Sequence, residues 1–360
     1  MKKLRVGILG ATGMVGQRFI QLLDGHPWFK VAVVAASSQS AGKTYEDAVS
    51  DKWKMQTPLP SSVKSLTVYS VIDDKKKIAK EVDLVFCALN LDKPVIQEIE
   101  ESYAKLGVPV ISNNSAHRWT EDIPMIIPEV NADHLAMIPF QQNKRGWKKG
   151  FIVVKPNCSI QSYVPILAAW EQFAPREVSV TSLQAISGAG KTFDTWPEMV
   201  DNINPFIKGE EEKSEKEPLK ILGEMKDGII MPATHLAITA TCIRVPVSDG
   251  HTANVSISFA KKVTQEALLQ AIDDFNKKNF LSSLTLPSSP AQLIQYLSEE
   301  DRPQAKLDRN FGRGMGISMG RLRERKGVYS FISLAHNTIR GAAGGAILTA
   351  ELLVKKGYIA

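Results

Sequence analysis

The chain has 360 residues, enough for about two domains at roughly 150 residues each, and it is 44% hydrophobic and 23% charged. That balance excludes a disordered or fibrous protein. Lys and Arg number 44 against 38 Asp and Glu, a net +6 spread along the sequence without a basic tail, which points away from nucleic acid and toward a small anionic substrate or a phosphorylated cofactor.

Leu4–Leu9 (LRVGIL) is a continuous apolar run suited to a strand buried on both faces, and it begins too close to the first residue to leave room for a signal peptide. It leads through a glycine-rich turn into an amphipathic stretch, Gln17–Leu23, that stops at Gly25. Lys30–Ala36 and Asp83–Leu89 read as further buried strands. Pro94–Leu106 has helical spacing with Val95, Ile99 and Leu106 as its apolar stripe, and Val108–Ser112 is another short strand. Ala41–Lys64 is polar and proline-bearing, an excursion on the rim. Strand and helix alternate with short turns, so the first part is α/β, a Rossmann-like parallel sheet.

The pattern changes near Phe151. Phe151–Lys155 is strand-like and Ser159–Phe173 reads as one long helix. Strands follow at Val178–Ile186, Ala237–Val247, Thr252–Ala260, Gly314–Leu322 and Val328–Ala335, with a helix at Thr264–Lys278 and an exposed charged helix at Glu210–Lys220. Consecutive strands with an Asp249-Gly250 turn predict an α+β domain built on a mixed, largely antiparallel sheet. The expected division is 1–156 for nucleotide binding, completed by a C-terminal helix at 338–360, and 157–337 for catalysis and dimerisation. No apolar run reaches the ~18 residues of a membrane span.

The turn Gly10-Ala11-Thr12-Gly13-Met14-Val15-Gly16 sits between a strand and a helix. Glycines there allow backbone amides to approach a pyrophosphate held at the helix N-terminus. Gly10, Thr12, Gly13, Met14, Val15 and Gly16 are therefore candidate cofactor contacts, although the spacing is GxxGxxG rather than GxGxxG. An NAD site places a carboxylate at the end of the second strand. Here Ala36 is followed by Ser37-Ser38-Gln39-Ser40-Ala41-Gly42-Lys43, with no acid. Hydroxyls from Ser37, Ser38 and Ser40 with the Lys43 ammonium suit a 2′-phosphate, so NADP(H) is the expected cofactor.

Three cysteines without a CxxC pair argue against a disulfide framework or a thiolate metal site, and for a reducing, cytoplasmic setting. The six histidines form no HExxH or similar pair, so no metal is expected. Cys87 and Cys242 lie inside apolar strands. Cys158 follows Pro156-Asn157 at a strand-to-helix junction, where free amides and a helix dipole lower a thiol pKa. A thiolate beside a nicotinamide adds to an aldehyde, gives up hydride and is left as a thioester, or runs that sequence backward on an activated acyl group. His251 is the candidate base, ahead of His117 and His235. A two-residue Asp249-Gly250 hairpin would pair Ser248 with His251 and put Arg244 on the same face.

Together the nucleotide turn, Pro156-Asn157-Cys158-Ser159, Gln184-Ala185-Ile186-Ser187-Gly188-Ala189-Gly190, Arg244-Val245-Pro246-Val247-Ser248-Asp249-Gly250-His251 and Asn337-Thr338-Ile339-Arg340-Gly341-Ala342-Ala343-Gly344-Gly345 resemble aspartate-semialdehyde dehydrogenases, particularly the archaeal and fungal branch. The resemblance spans nearly the whole chain. It implies NADPH-dependent reductive dephosphorylation of L-4-aspartyl phosphate to L-aspartate 4-semialdehyde, with inorganic phosphate as co-substrate in the oxidative direction. Cys158 would carry the thioester and His251 would act as acid and base. Gln184 would orient the substrate, Arg244 would hold its α-carboxylate, and Arg118, Asn157 and Lys213 would meet its phosphate. Glu210 would face its ammonium, with adjacent Glu211 the alternative register. Ser187, Gly188 and Asn337 would contact the cofactor near its nicotinamide. A dimer or tetramer is implied, with the second domain's sheet a reasonable place for self-association; neither nucleic acid nor membrane is an expected partner.

Two kinds of rival remain. Malonyl-CoA reductase shares the scaffold, but its substrate has no ammonium and so no need of Glu210; N-acetylglutamyl-phosphate reductase is more distant. A non-catalytic nucleotide-binding regulator would be expected to lack the thiol or its base, and both Cys158 and His251 are present.

Overall fold

The computed structural model describes residues 2–278 and 280–360. Strands β1 (Leu4–Leu9), β2 (Phe29–Ala36), β3 (Val68–Ser70), β4 (Leu84–Cys87), β5 (Val110–Ser112) and β6 (Ile152–Val154) form one sheet in the order β3-β2-β1-β4-β5-β6. Every pairing in it is parallel. This is the doubly wound order, and it reverses between β1 and β4, where such sheets open a ligand crevice beyond the strand ends. Both faces are covered, which is why β4 and β5 read as unbroken apolar runs.

The second sheet contains β7 (Pro175–Gln184). After a short hairpin of β8 (Glu224–Lys226) and β9 (Ile229–Met231) come β10 (Ala237–Arg244), β11 (His251–Phe259), β12 (Ile294–Leu297), β13 (Ile317–Arg325) and β14 (Val328–Ala335). The order is β10-β7-β11-β14-β13-β12, with both outer pairings parallel and the three inner ones antiparallel. The Asp249-Gly250 hairpin does not form. β7 lies between β10 and β11, so His251 opposes Ala335 of β14 rather than Ser248. The segment after Arg244 crosses over the end of β7 to reach β11.

Alternation along β7 and β11 buries Val178, Val180, Val255 and Ile257 under Leu268, Ala271 and Ile272 of the Gln265–Lys278 helix. The opposite face presents Ser179, Thr181, Thr239, Thr241, Asn254 and Ser256, exposed or half-buried. The long helix expected over Ser159–Phe173 is instead three pieces. A 3-10 turn, Ser159–Ser162, and the helix Val164–Ala169 are separated at Tyr163, and a 3-10 turn covers Glu171–Phe173. Pro165 explains the first break, because it supplies no N–H and restarts the helix at its own first turn.

The charged helix Glu210–Ile221 is not simply exposed. Glu210, Ser214, Glu217 and Ile221 recur at helical spacing on its buried face, which packs on β10. At the C-terminus a π-turn, Ile339–Ala343, precedes the helix Gly344–Lys355, whose Ala346, Ile347, Ala350 and Leu353 join the same buried cluster as Ile8, Phe19 and Phe86. Buried Arg340 pairs with Glu129 at 2.9 Å and fixes this segment.

Candidate active site

Gly10 ends β1 with φ +90°, and a Cβ there would lie 2.4 Å from the Ala88 oxygen; one at Gly16 would lie 2.2 Å from the Gly10 oxygen. Both positions need glycine for the chain's own packing. Gly13 differs, since a Cβ would meet only the Gly10 oxygen at 3.6 Å. Gly13 caps the Met14–Leu23 helix, whose first turn has neither a side-chain cap nor an acidic residue. Its free amides are open to an anion. The Tyr45 hydroxyl donates to the Ala11 carbonyl (2.7 Å) and the Gln17 amide to the Thr12 carbonyl (2.9 Å), bracing the turn. Beyond β2, Ser37, Ser38 and Lys43 are exposed and Ser40 is half-buried, with the bend closed by Ser40 N–H to Ser37 O at 3.0 Å. These residues fit a dinucleotide with a charged ribose.

Gly13→Ala gives a direct check, because its backbone (φ −79°, ψ 164°) accepts alanine without strain. The melting temperature should hold within a few degrees, while NADPH affinity by fluorescence titration should fall about tenfold or more, as a methyl group enters the space the pyrophosphate needs.

A cleft of about 100 Å³ lined by Met14, Ile186, Ser187 and Asp249 joins this turn to the second domain. There Asn337 donates to the Ser187 hydroxyl (2.8 Å) and accepts from Gly250 N–H (2.8 Å), holding two loops in one position. The β7–β10 register pairs Gln184 with Arg244, and β11 begins alongside, so three strand ends converge. Arg244 and His251 meet there without the expected hairpin. A Cβ on Gly188 would lie 2.8 Å from Arg244 Nη1 and 3.0 Å from His251 Nε2, so a side chain there would press on both.

Cys158 Sγ lies 3.4 Å from His251 Nε2. The other ring nitrogen, Nδ1, accepts from Ala185 N–H at 3.0 Å, and the Ala185 carbonyl accepts from Arg244 Nη1 at 2.7 Å. With Nδ1 an acceptor, the neutral ring carries its proton on Nε2, directed at the sulfur. Burial first, then the Arg244 charge, pushes the His251 pKa down to about 3, so the ring is neutral at physiological pH.

The expected low thiol pKa is not found. Burial first, then Glu210, pushes Cys158 up to about 11, against the opposing pull of Lys155, Arg118 and Arg244. The four-residue turn that follows is too short to supply the dipole of a full helix.

Asn157 donates through Nδ2 to both Glu210 oxygens (3.1 and 2.9 Å), and Gln184 Nε2 donates to Glu210 Oε2 at 3.3 Å. Lys213 Nζ closes on Glu210 at 2.7 Å. Burial would raise the Glu210 pKa, but Lys213 and these amide donors outweigh it and hold the carboxylate below its usual range. Glu210 is the glutamate that faces this cluster, while Glu211 accepts from Cys242 N–H at 3.2 Å. Arg118 is engaged by the protein at three nitrogens. Nε donates to the Lys155 carbonyl (3.0 Å), Nη1 to Glu217 (2.9 Å) and Nη2 to the Asn113 carbonyl (3.2 Å). Cys87 and Cys242 are buried in their strands, His117 Nδ1 bonds the Thr120 hydroxyl (2.9 Å), and His235 pairs with Glu171.

Two residues of the centre escaped the sequence reading. Glu217 is fully buried and joins Arg118 to the backbone N–H of Asn157 (2.6 Å). Its signal was its place seven residues after Glu210, on the same helix face. Lys155 lies three residues before the thiol, and nothing in the motifs marks it.

A doubly wound sheet with an anion-accepting turn, opening onto a cysteine–imidazole pair ringed by cations and one carboxylate, has the layout of a thiol-dependent, nicotinamide-coupled dehydrogenase. Comparison with known proteins agrees. Residues 5–138 match the model for "Semialdehyde dehydrogenase, NAD binding domain" and residues 165–340 that for "Semialdehyde dehydrogenase, dimerisation domain". The aspartate-semialdehyde dehydrogenase of Archaeoglobus fulgidus is 44% identical over 98% of this chain and 99% of its own length. That of Aspergillus fumigatus is 41% identical over 99% of each. The crystal structure of the Candida albicans enzyme with NADP superposes with a TM-score of 0.87 at 38% identity, covering 99% of this chain and all of that one. The chain belongs to the aspartate-semialdehyde dehydrogenase family.

Proposed function

We propose that this protein converts L-4-aspartyl phosphate and NADPH reversibly to L-aspartate 4-semialdehyde, inorganic phosphate and NADP, an early step toward lysine, threonine, methionine and isoleucine. The single observation that carries the reading is the Cys158 Sγ–His251 Nε2 contact of 3.4 Å beside Arg244 and the Gln184–Glu210 pair. The Cys158 sulfur, having given up its proton, attacks the acyl carbon as the thiolate; the C–S bond forms, the C–O bond to phosphate breaks, phosphate leaves as the anion, and a thioester remains on the chain. Bound NADPH would supply the hydride that brings this acyl carbon to the aldehyde level, after which the C–S bond breaks, releasing the aldehyde and returning the sulfur to Cys158. His251 keeps a proton at Nε2 beside the sulfur, placed to stabilise its anion and to protonate an oxygen on the attached carbon.

The Arg244 guanidinium, with one nitrogen spent on Ala185, offers its remaining edge to the α-carboxylate. Glu210 answers the ammonium, and Gln184 orients the substrate between them. Asn157, Lys213 and Arg118 form the phosphate side. Gly10, Thr12, Gly13, Met14, Val15 and Gly16 hold the pyrophosphate, and Ser37, Ser38, Ser40 and Lys43 the 2′-phosphate. Ser187, Gly188 and Asn337 bound the nicotinamide end.

Residues 1–156 with the helix at 338–360 form the cofactor domain and 157–337 the catalytic one. The match to a dimerisation domain and the hydroxyl-rich open face of the second sheet support a homodimer or homotetramer. Three free cysteines support a cytoplasmic location, and among the described residues no helix is long and apolar enough to cross a membrane.

The test is steady-state oxidation of L-aspartate 4-semialdehyde with NADP and phosphate, run beside malonyl-CoA reduction with NADPH. Activity on the semialdehyde that requires phosphate is expected. Turnover of malonyl-CoA alone would overturn the proposal.

A further inference from the structure

The Lys155 side chain is buried, and among the described residues its Nζ has no hydrogen-bond partner. A chain keeps a bare ammonium in its interior only at a cost, so its surroundings deserve an explanation. It packs on the same C-terminal segment as the nucleophile. A Cβ on Gly341 would lie 2.8 Å from Cys158 Cβ, and a Cβ on Gly345 would lie 2.4 Å from Lys155 Cε and 3.3 Å from Nζ. Two glycines four residues apart thus let both side chains close on one stretch of backbone.

Three of the neighbouring cations already face a carboxylate of the chain. Arg118 is paired with Glu217, Lys213 with Glu210, and Arg340 with Glu129, while Arg244 donates to the Ala185 carbonyl. His251 cannot take the thiol proton in its observed state, because Ala185 N–H occupies Nδ1 and the ring proton occupies Nε2.

We propose that Lys155 is a positioning residue whose ammonium is the countercharge of the Cys158 thiolate. The inference rests on reading Cys158 as the nucleophile. The groups acting on the sulfur are Glu210 and His251 with Lys155, Arg118 and Arg244; those acting on the ammonium are Cys158 and Glu129 with Arg340 and Arg118. Burial pushes Lys155 down to about 7, opposed by Cys158, and the thiol stands at about 11. Between those values the two groups hold one proton, which rests on the sulfur beside a neutral lysine amine; passing it to Lys155 gives a thiolate–ammonium form of the same net charge. Ionising the sulfur therefore brings no net charge into the interior.

The experiment is alkylation of the full-length protein by iodoacetamide between about pH 6 and 11, scored by mass spectrometry on the Cys158 peptide. Lys155→Met should react about tenfold more slowly near pH 8, with its rate profile displaced toward higher pH, since the sulfur loses the amine that takes up its proton and then faces it as a cation. Its melting temperature should equal or exceed that of the parent, because a buried polar group has been replaced by an apolar group of similar length. If the Met variant does not fold, Lys155→Gln should show the same displacement. An unmoved profile in the folded variant overturns the role of Lys155, even if its melting temperature falls. If Cys158 in the parent reacts no faster than Cys87 and Cys242, the nucleophile assignment itself fails, a separate result.

Discussion

Cys158→Ala should lower kcat by at least about 10⁴-fold, since no covalent acyl intermediate can form without the sulfur. The substitution keeps the Cβ that packs against Gly341 and removes only the atom facing His251. The nucleotide turn lies on another sheet, so the dissociation constant for NADPH should stay within about twofold of the parent value. Steady-state assay with a parallel fluorescence titration separates the two quantities. Turnover near the parent rate would mean that a different group attacks the acyl carbon.

The second large effect is expected at Arg244. Lysine retains the charge but has one ammonium in place of a planar fork, and the native side chain already spends Nη1 on the Ala185 carbonyl at 2.7 Å. A lysine cannot hold that carbonyl and a substrate carboxylate in the same geometry. Arg244→Lys should reduce kcat/KM for the semialdehyde by about 10²–10³-fold, or about 3–4 kcal/mol, mainly through KM. A smaller loss in kcat should accompany it, because the same Ala185 peptide orients the His251 ring. Kinetics equal to the parent would remove Arg244 from substrate recognition.

Much of the fold was legible because buried parallel strands leave an unmistakable pattern. Leu4–Leu9 and Val328–Ala335 have the bounds the sequence indicates, and β2 and β5 lie within a residue or two of theirs. β3 was not legible, because Val68–Ser70 is too short to show a period. The order of the second sheet was hidden for another reason. Asp249-Gly250 carries the local signature of a tight turn, yet β7 is inserted between the strands it separates, and that choice is made by long-range pairing. Arg244 and His251 still converge because β10 follows β7 in parallel register. The charge-rich helix misled for a third reason. Its acidic run looks solvated until Glu210, Ser214 and Glu217 are placed on one side, where they find Asn157, Ser159 and Arg118 as partners. The motifs marked Cys158, but the state of its thiol could not be read from them, because it depends on burial and on charges from several parts of the chain.

The seating of the Gly344–Lys355 helix in the core of the first sheet has a consequence during synthesis. The ribosome finishes β6 at Val154 long before it reaches Gly344. At about 5–20 residues per second the nascent amino-terminal sheet waits roughly ten to forty seconds with one wall of its interior missing. Chains halted before that helix emerges would leave β5 and the Pro128–Asn131 helix, which pack against it, uncovered, an adhesive surface that chaperones would have to shield.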